Sequence, residues 1–193
     1  MGTVISTTGA EPVALEEAKL AARVDNDLGD ASSLDGLIAG LITSAREQAE
    51  HLTGRTYREQ VIRFELCDWP TVGNVLAVNA ASSGEVTYWD GSDWVDLDDA
   101  DVVVAPSEGG NGTVVVPALG ATWPDLVQVA AGPRVRIDLT AGPADPEGVP
   151  ESVKLYIKAQ VGAWLKTPEA IAGGTLTRHP LFDRLLDRER IWF

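Results

Sequence analysis

Residues 33–55 read Ser33-Leu34-Asp35-Gly36-Leu37-Ile38-Ala39-Gly40-Leu41-Ile42-Thr43-Ser44-Ala45-Arg46-Glu47-Gln48-Ala49-Glu50-His51-Leu52-Thr53-Gly54-Arg55. Leu34, Ile38, Leu41, Ala45 and Leu52 recur at helical spacing, and Leu37 and Ile42 widen the stripe. That pattern predicts one long amphipathic helix with a buried apolar face. Ser32 is placed to cap its start, with Asp35 three residues on, and Gly54 stands where a left-handed cap ends a helix. Arg46, Glu47 and Glu50 fall off the main stripe, and Glu47 and Glu50, one turn apart, are expected on the wet side. Gly36 and Gly40 each cost about 1 kcal/mol against Ala in a helix. Two such residues four apart leave a notch where another backbone can approach.

A helix of this kind needs partners, and the chain supplies them before and far after it. Pro12 precedes Val13–Val24, a short helix with Glu16 and Glu17 in its first turn and Arg23 in its last. Pro150 opens a third helix, 151–166, with Val153, Ile157, Val161 and Trp164 on one face, and Thr167-Pro168 stops it. Between them the period changes to two. Thr56–Leu66, Val75–Val78, Gly84–Trp89, Trp94–Leu97, Val102–Ala105, Thr113–Pro117 and Arg134–Thr140 read as strands set apart by Gly, Pro, Asn and Asp. Asp90-Gly91 suits a hairpin turn flanked by Tyr88, Trp89 and Trp94.

The fold class expected is therefore α+β. The long N-terminal helix packs on a C-terminal helix in a helical bundle, with an inserted antiparallel β-sheet or sandwich module. The boundaries are 1–55 for the N-terminal arm and helices, 56–142 for the acidic β module, 143–168 for the helix completing the bundle and 169–193 for an extended C-terminal tail. Residues 1–12 read as an extended arm. In the tail, Pro180–Arg190 has the pattern of a short helix, and Ile191-Trp192-Phe193 are three large apolar residues. Either they fold back on the core or they insert into a partner.

The chain of 193 residues has 45% apolar content, enough for a real core, and a formal net charge of −14. The distribution matters more than the sum. Residues 64–133 hold eleven Asp and Glu and no Lys or Arg, whereas 1–63 sum to −4 and 134–193 to +1. Such a chain does not bind nucleic acid by neutralising phosphates. No apolar run is long enough to span a bilayer, and no secretory leader is expected. Cys67 is the single cysteine, which suits a reducing cytoplasm.

Chemistry-bearing patterns are weak throughout. Asp90, Asp93, Asp96, Asp98, Asp99 and Asp101 cluster around a hairpin, which points carboxylates in several directions and not across a cleft. No Gly-x-Ser-x-Gly, phosphate loop, His-Glu-x-x-His or Cys/His ligand spacing occurs. No catalytic residue, metal ligand or cofactor is expected.

In their order, these residues resemble a known family. Pro12-Val13-Ala14-Leu15-Glu16-Glu17-Ala18-Lys19, Leu37-Ile38 through Ala45-Arg46-Glu47-Gln48-Ala49-Glu50, and Thr53-Gly54-Arg55 are similar to the opening of head–tail connector (adaptor) proteins of tailed phages and gene transfer agents. Val86-Thr87-Tyr88-Trp89-Asp90-Gly91, Trp94, Trp123-Pro124, Val135-Arg136-Ile137, Thr140-Ala141-Gly142 and Val149-Pro150-Glu151-Ser152-Val153-Lys154 continue the likeness. The chain departs from it at Ala14, where the family prefers Ser or Thr, at Pro143, and in its longer aromatic C-terminus.

The resemblance implies a structural virion protein, not an enzyme, assembled in the host cytoplasm into a ring of about a dozen copies. The ring would join the portal protein to a tail or neck (stopper or terminator) protein. Packaged DNA would pass through it without sequence-specific binding, and no membrane is involved. On that reading Leu181, Phe182, Leu185, Leu186, Ile191, Trp192 and Phe193 dock on the portal. Gly36, Gly40, Arg46, Glu47 and Glu50 pack the ring. Asp90, Asp93, Asp96, Asp98, Asp99 and Asp101 form an acidic face toward the lumen or a partner. The competing expectation is a carbohydrate- or protein-binding β module of a tail or tail-tip component, using Trp89 and Trp94.

Overall fold

A computed structural model describes residues 2–23, 31–71, 75, 76, 78, 81–108, 112–129, 131–166 and 184–191. Among the described residues the fold is α+β, with three α-helices and antiparallel sheets. It divides into a helical unit, residues 10–58 and 143–191, and a sheet unit drawing on 1–9 and 59–142.

The helical unit contains α1 (Leu15–Ala22), α2 (Ala31–Thr53) and α3 (Glu151–Lys166). The long stripe does what its spacing demands. Ile38, Ile42, Ala45 and Ala49 of α2 share one buried cluster with Val153, Tyr156, Ile157 and Val161 of α3 and Ala18 of α1. Each fully buried large side chain contributes about 1.5–3 kcal/mol. Gly54 ends α2 at φ 72° with its N–H on the Glu50 carbonyl at 2.8 Å, the left-handed cap expected. Ala14 begins α1 without a side-chain cap, and Arg23 takes the left-handed conformation at its end. Two details of α2 differ from the reading. The helix already runs at Ala31, so Ser32 lies inside it and not at its cap. Leu37 is 51% exposed, because the buried stripe is narrower than the run of apolar residues.

In the sheet unit, β1 (Thr3–Thr7), β2 (Gln60–Leu66), β7 (Val135–Ala141), β3 (Ser83–Trp89) and β4 (Trp94–Asp96) lie side by side in that order, every pair antiparallel. β5 (Val102–Pro106) and β6 (Thr113–Pro117) form a separate hairpin. β7 is central and sets the register. Val135, Ile137, Leu139 and Ala141 are buried, while Arg136, Asp138 and Thr140 face outward. A slip of one residue would exchange the two sets, so the alternation holds the pairing. The outward face is bound by cross-strand ion pairs, Arg63 to Asp138 through two bonds at 2.8 and 2.6 Å and Arg136 to Glu65 at 3.0 Å. On the buried face, Val104 of β5 and Val115 of β6 join the cluster of Phe64, Val86, Ile137 and Leu139. Gly84 makes this approach possible. A Cβ there would lie 2.6 Å from Leu139 Cδ2 and 3.1 Å from Val104 Cγ2.

Residues 3–7 lie in the stretch expected as an extended arm. They form β1 and belong to the sheet. Thr, Val and Ile favour a pleated surface, but both faces of this strand are exposed, so no alternation announces it. The strand expected from Thr56 starts at Gln60, and the described residues of 75–78 form the bridge from Leu76 to Thr113.

Candidate assembly surfaces

The residues singled out on α2 divide into two groups. Arg46 is 5% exposed, although it falls off the apolar stripe. Its guanidinium meets Glu11 at 3.0 Å, Glu50 one turn on, and Glu47 more loosely at 3.4 Å. Glu11 is the hub that sequence reasoning missed. Its carboxylate also takes the Thr43 hydroxyl at 3.0 Å and Arg58 at 2.8 Å. Glu50 accepts the Tyr57 N–H at 2.7 Å, and burial raises its pKa above the ordinary value of 4.5 despite that bond and Arg46. The neighbouring Tyr57 phenol is pushed by burial up to about 12. Arg46 and Glu50 thus tie the helical unit together internally; Glu47 remains exposed. The one signal for Glu11 in the sequence is that it is the first charge of the chain.

Gly36 and Gly40 form the second group. Both are exposed, and a Cβ on either would meet nothing within 4 Å. With exposed Leu37 and Ala39 between them, they leave a stretch of α2 uncovered by the chain's own residues among those described. Nearby, an open cleft of about 760 Å³ runs past Glu11, Thr43, Arg58, Glu151, Lys154 and Lys158. Its charges are already satisfied: Lys154 pairs with Glu151 and Lys158 with Glu17.

The expected portal-docking set is only partly described. Leu181, Phe182, Trp192 and Phe193 lie outside the described residues. Leu186 is fully buried in the helical core and Leu185 packs against it. Leu186 therefore serves its own unit, and the expectation that it docks on a partner is corrected. Arg55 holds this segment through the Glu189 carbonyl at 2.6 Å, and the Ile191 N–H reaches the Thr53 carbonyl at 2.9 Å.

The acidic run is spread around its hairpin. Asp90 closes the β3–β4 turn by accepting from Ser92 N, Ser92 Oγ and Asp93 N, bonds that hold its pKa below the ordinary 3.8. Asp93 accepts from Trp94 N, and Asp98 caps the short turn at 99–101. Asp96, Asp99 and Asp101 are exposed. Among the described residues no group of three His, Cys, Asp or Glu could hold a metal ion, and no helix is long and apolar enough to cross a membrane. The aromatics also divide. Tyr88 turns inward toward Trp69, which stacks on Trp123 at 4.6 Å and donates to the Pro124 carbonyl. Trp89 and Trp94 meet edge to face on the outer side of the sheet, where the Arg136 guanidinium lies 3.8 Å over Trp94. That guanidinium occupies a ring face on which a sugar would otherwise stack.

No family model matches the sequence, and no curated protein matches it. Solved structures do. A chain of "Neck of empty GTA particle computed with C6 symmetry" superposes with a TM-score of 0.77 at 18% identity, covering 100% of this chain and 96% of that one. The fold is that of gene transfer agent neck chains. A chain of "Virion of native gene transfer agent (GTA) particle" gives 0.75 at 17% identity, and one of "Neck of native GTA particle computed with C12 symmetry" gives 0.65 at 18%, each with the same coverage. The neck fold spans both units, so helices and sheet are shared features and neither is an accretion of this chain.

Proposed function

We propose that the chain is a structural virion protein, a head–tail connector that forms a ring between portal and tail and lets DNA pass through. The observation that carries this reading is the whole-length likeness to neck chains, one from a reconstruction with C6 symmetry and one with C12. The uncovered stretch of α2 around Gly36, Leu37 and Gly40 supports it, because a 23-residue helix otherwise packed by its own unit keeps one approachable side. In the ring, the helices form one layer in which copies meet. Ile191, Trp192 and Phe193 dock on the portal, while Leu185 and Leu186 anchor the segment that leads to them.

The acidic sheet unit has a physical role in such a ring. A dozen or so copies, each of charge −14, present a field that repels a polyanion at short range, so DNA slides and does not adhere. The role needs no catalysis and no cofactor. Mixing the full chain with portal-bearing heads, followed by negative-stain microscopy, tests the reading. Trp192→Ala/Phe193→Ala should fold and fail to attach. A double variant that attaches as well as the parent removes the docking assignment, and a parent chain that never attaches removes the connector reading.

A further inference from the structure

Strand β1 forms one end of the five-stranded sheet, and no strand lies along its outer side among the described residues. Such an edge offers a row of backbone donors and acceptors to any extended chain, and proteins usually blunt it with charge, proline, a bulge or brevity. Here all five residues are exposed, Val4 by 50% and Ile5 by 46%. Residues 2–10 contain no charged residue and no proline. The one blunting device is the irregularity between Val4 and Ser6. The opposite edge is treated differently. β4 is three residues long, and Asp93, Asp96 and Asp98 stand in it or beside it.

We propose that the open edge of β1 accepts an extended strand from a neighbouring copy of this chain, so that the sheet continues from one subunit into the next. The proposal rests on the connector reading and names a contact that its ring would use. Charge selects the occupant's approach. Copies of net charge −14 repel one another most at the stretch 64–133, with its eleven acids and no base. The neutral, β-branched edge is where two like chains can come close with least repulsion. Size selects the circumstance. Five residues span roughly 17 Å, too little alone for the ~1,200 Å² that a stable pair buries. The contact therefore forms where a portal already holds copies side by side, with main-chain hydrogen bonds supplying it. A closed ring meets head to tail, so the strand offered is a different one of the next copy, and β6 (Thr113–Pro117), whose own residues carry no charge, meets β1 without like-charge repulsion.

Hydrogen exchange on the full chain, free and ringed on portal-bearing heads, reads this directly. Amides of Thr3–Thr7 should exchange more slowly in the ring, on the order of ten-fold or more. Val4→Lys and Thr7→Lys, both at exposed positions, should keep the melting temperature of the free chain and lower ring occupancy. Unchanged β1 exchange in rings that microscopy shows to be formed overturns strand addition and leaves the connector reading intact. A chain that forms no ring overturns both.

Discussion

The buried ion cluster on α2 makes the sharpest prediction for the helical unit. Arg46→Ala removes the guanidinium that joins Glu11 to Glu50. Breaking a buried pair costs about 3–5 kcal/mol, because the partner stays behind uncompensated. The cost here falls near 3. Glu11 keeps Arg58 and Thr43, and Glu50 keeps the Tyr57 N–H. At roughly 2–4 °C per kcal/mol for a chain of this size, the melting temperature should drop by about 6–12 °C. Thermal and urea unfolding followed by circular dichroism at pH 7 measures it. Acidity supplies an internal check. Glu50 has its folded pKa raised by burial above the ordinary 4.5, so its contribution is fully present below that value and is lost as pH rises through the folded pKa. Arg46 holds this pKa down; without it the rise is larger. The deficit of Arg46→Ala should therefore shrink from pH 7 toward pH 5, and Glu50→Gln added to it should recover part of the loss. A deficit under about 1 kcal/mol, the worth of an exposed pair, with no pH dependence, would mean that the cluster does not act as a buried pair.

Gly36→Ala should stabilise the free chain by about 1 kcal/mol, since the helix gains and the added methyl meets nothing; on the ring-packing reading it lowers ring yield on portal-bearing heads, and an unchanged yield counts against the notch. Leu186→Ala should cost about 2–5 kcal/mol in urea unfolding as a buried core residue; a cost near zero would return it to the docking set. Gly84→Val should cost about 1–3 kcal/mol by crowding Leu139 and Val104, and a neutral result would contradict the close approach of β5 to β3. Trp69→Ala should remove the stack on Trp123 and change the near-ultraviolet dichroism while ring formation persists.

The helices and six of the seven strands among the described residues are legible because each has a period that packing enforces. The stripe Ile38–Ala49 and the alternation Val135–Ala141 are buried on one side and wet on the other, so pattern and structure coincide. β1 escaped because neither of its faces is buried, and a strand without an inside has no alternation to show. Arg46 falls off the apolar stripe and Glu50 is expected on the wet side, because a helix wheel counts charged residues as solvent-facing. What keeps them in is Glu11, thirty-five residues away from Arg46, and no local pattern encodes a partner at that distance. The terminal Leu185–Leu186 step misled for the same kind of reason. Apolar residues near a chain end look available until the core that receives them, here built from α2 and α3, is in place.

The most direct test of the account is the symmetry of what the chain builds. The full-length protein mixed with portal-bearing heads and viewed by electron microscopy should add one ring of about a dozen copies at the portal vertex, with both units of each copy resolved. A chain that stays monomeric and leaves the vertex bare would contradict it.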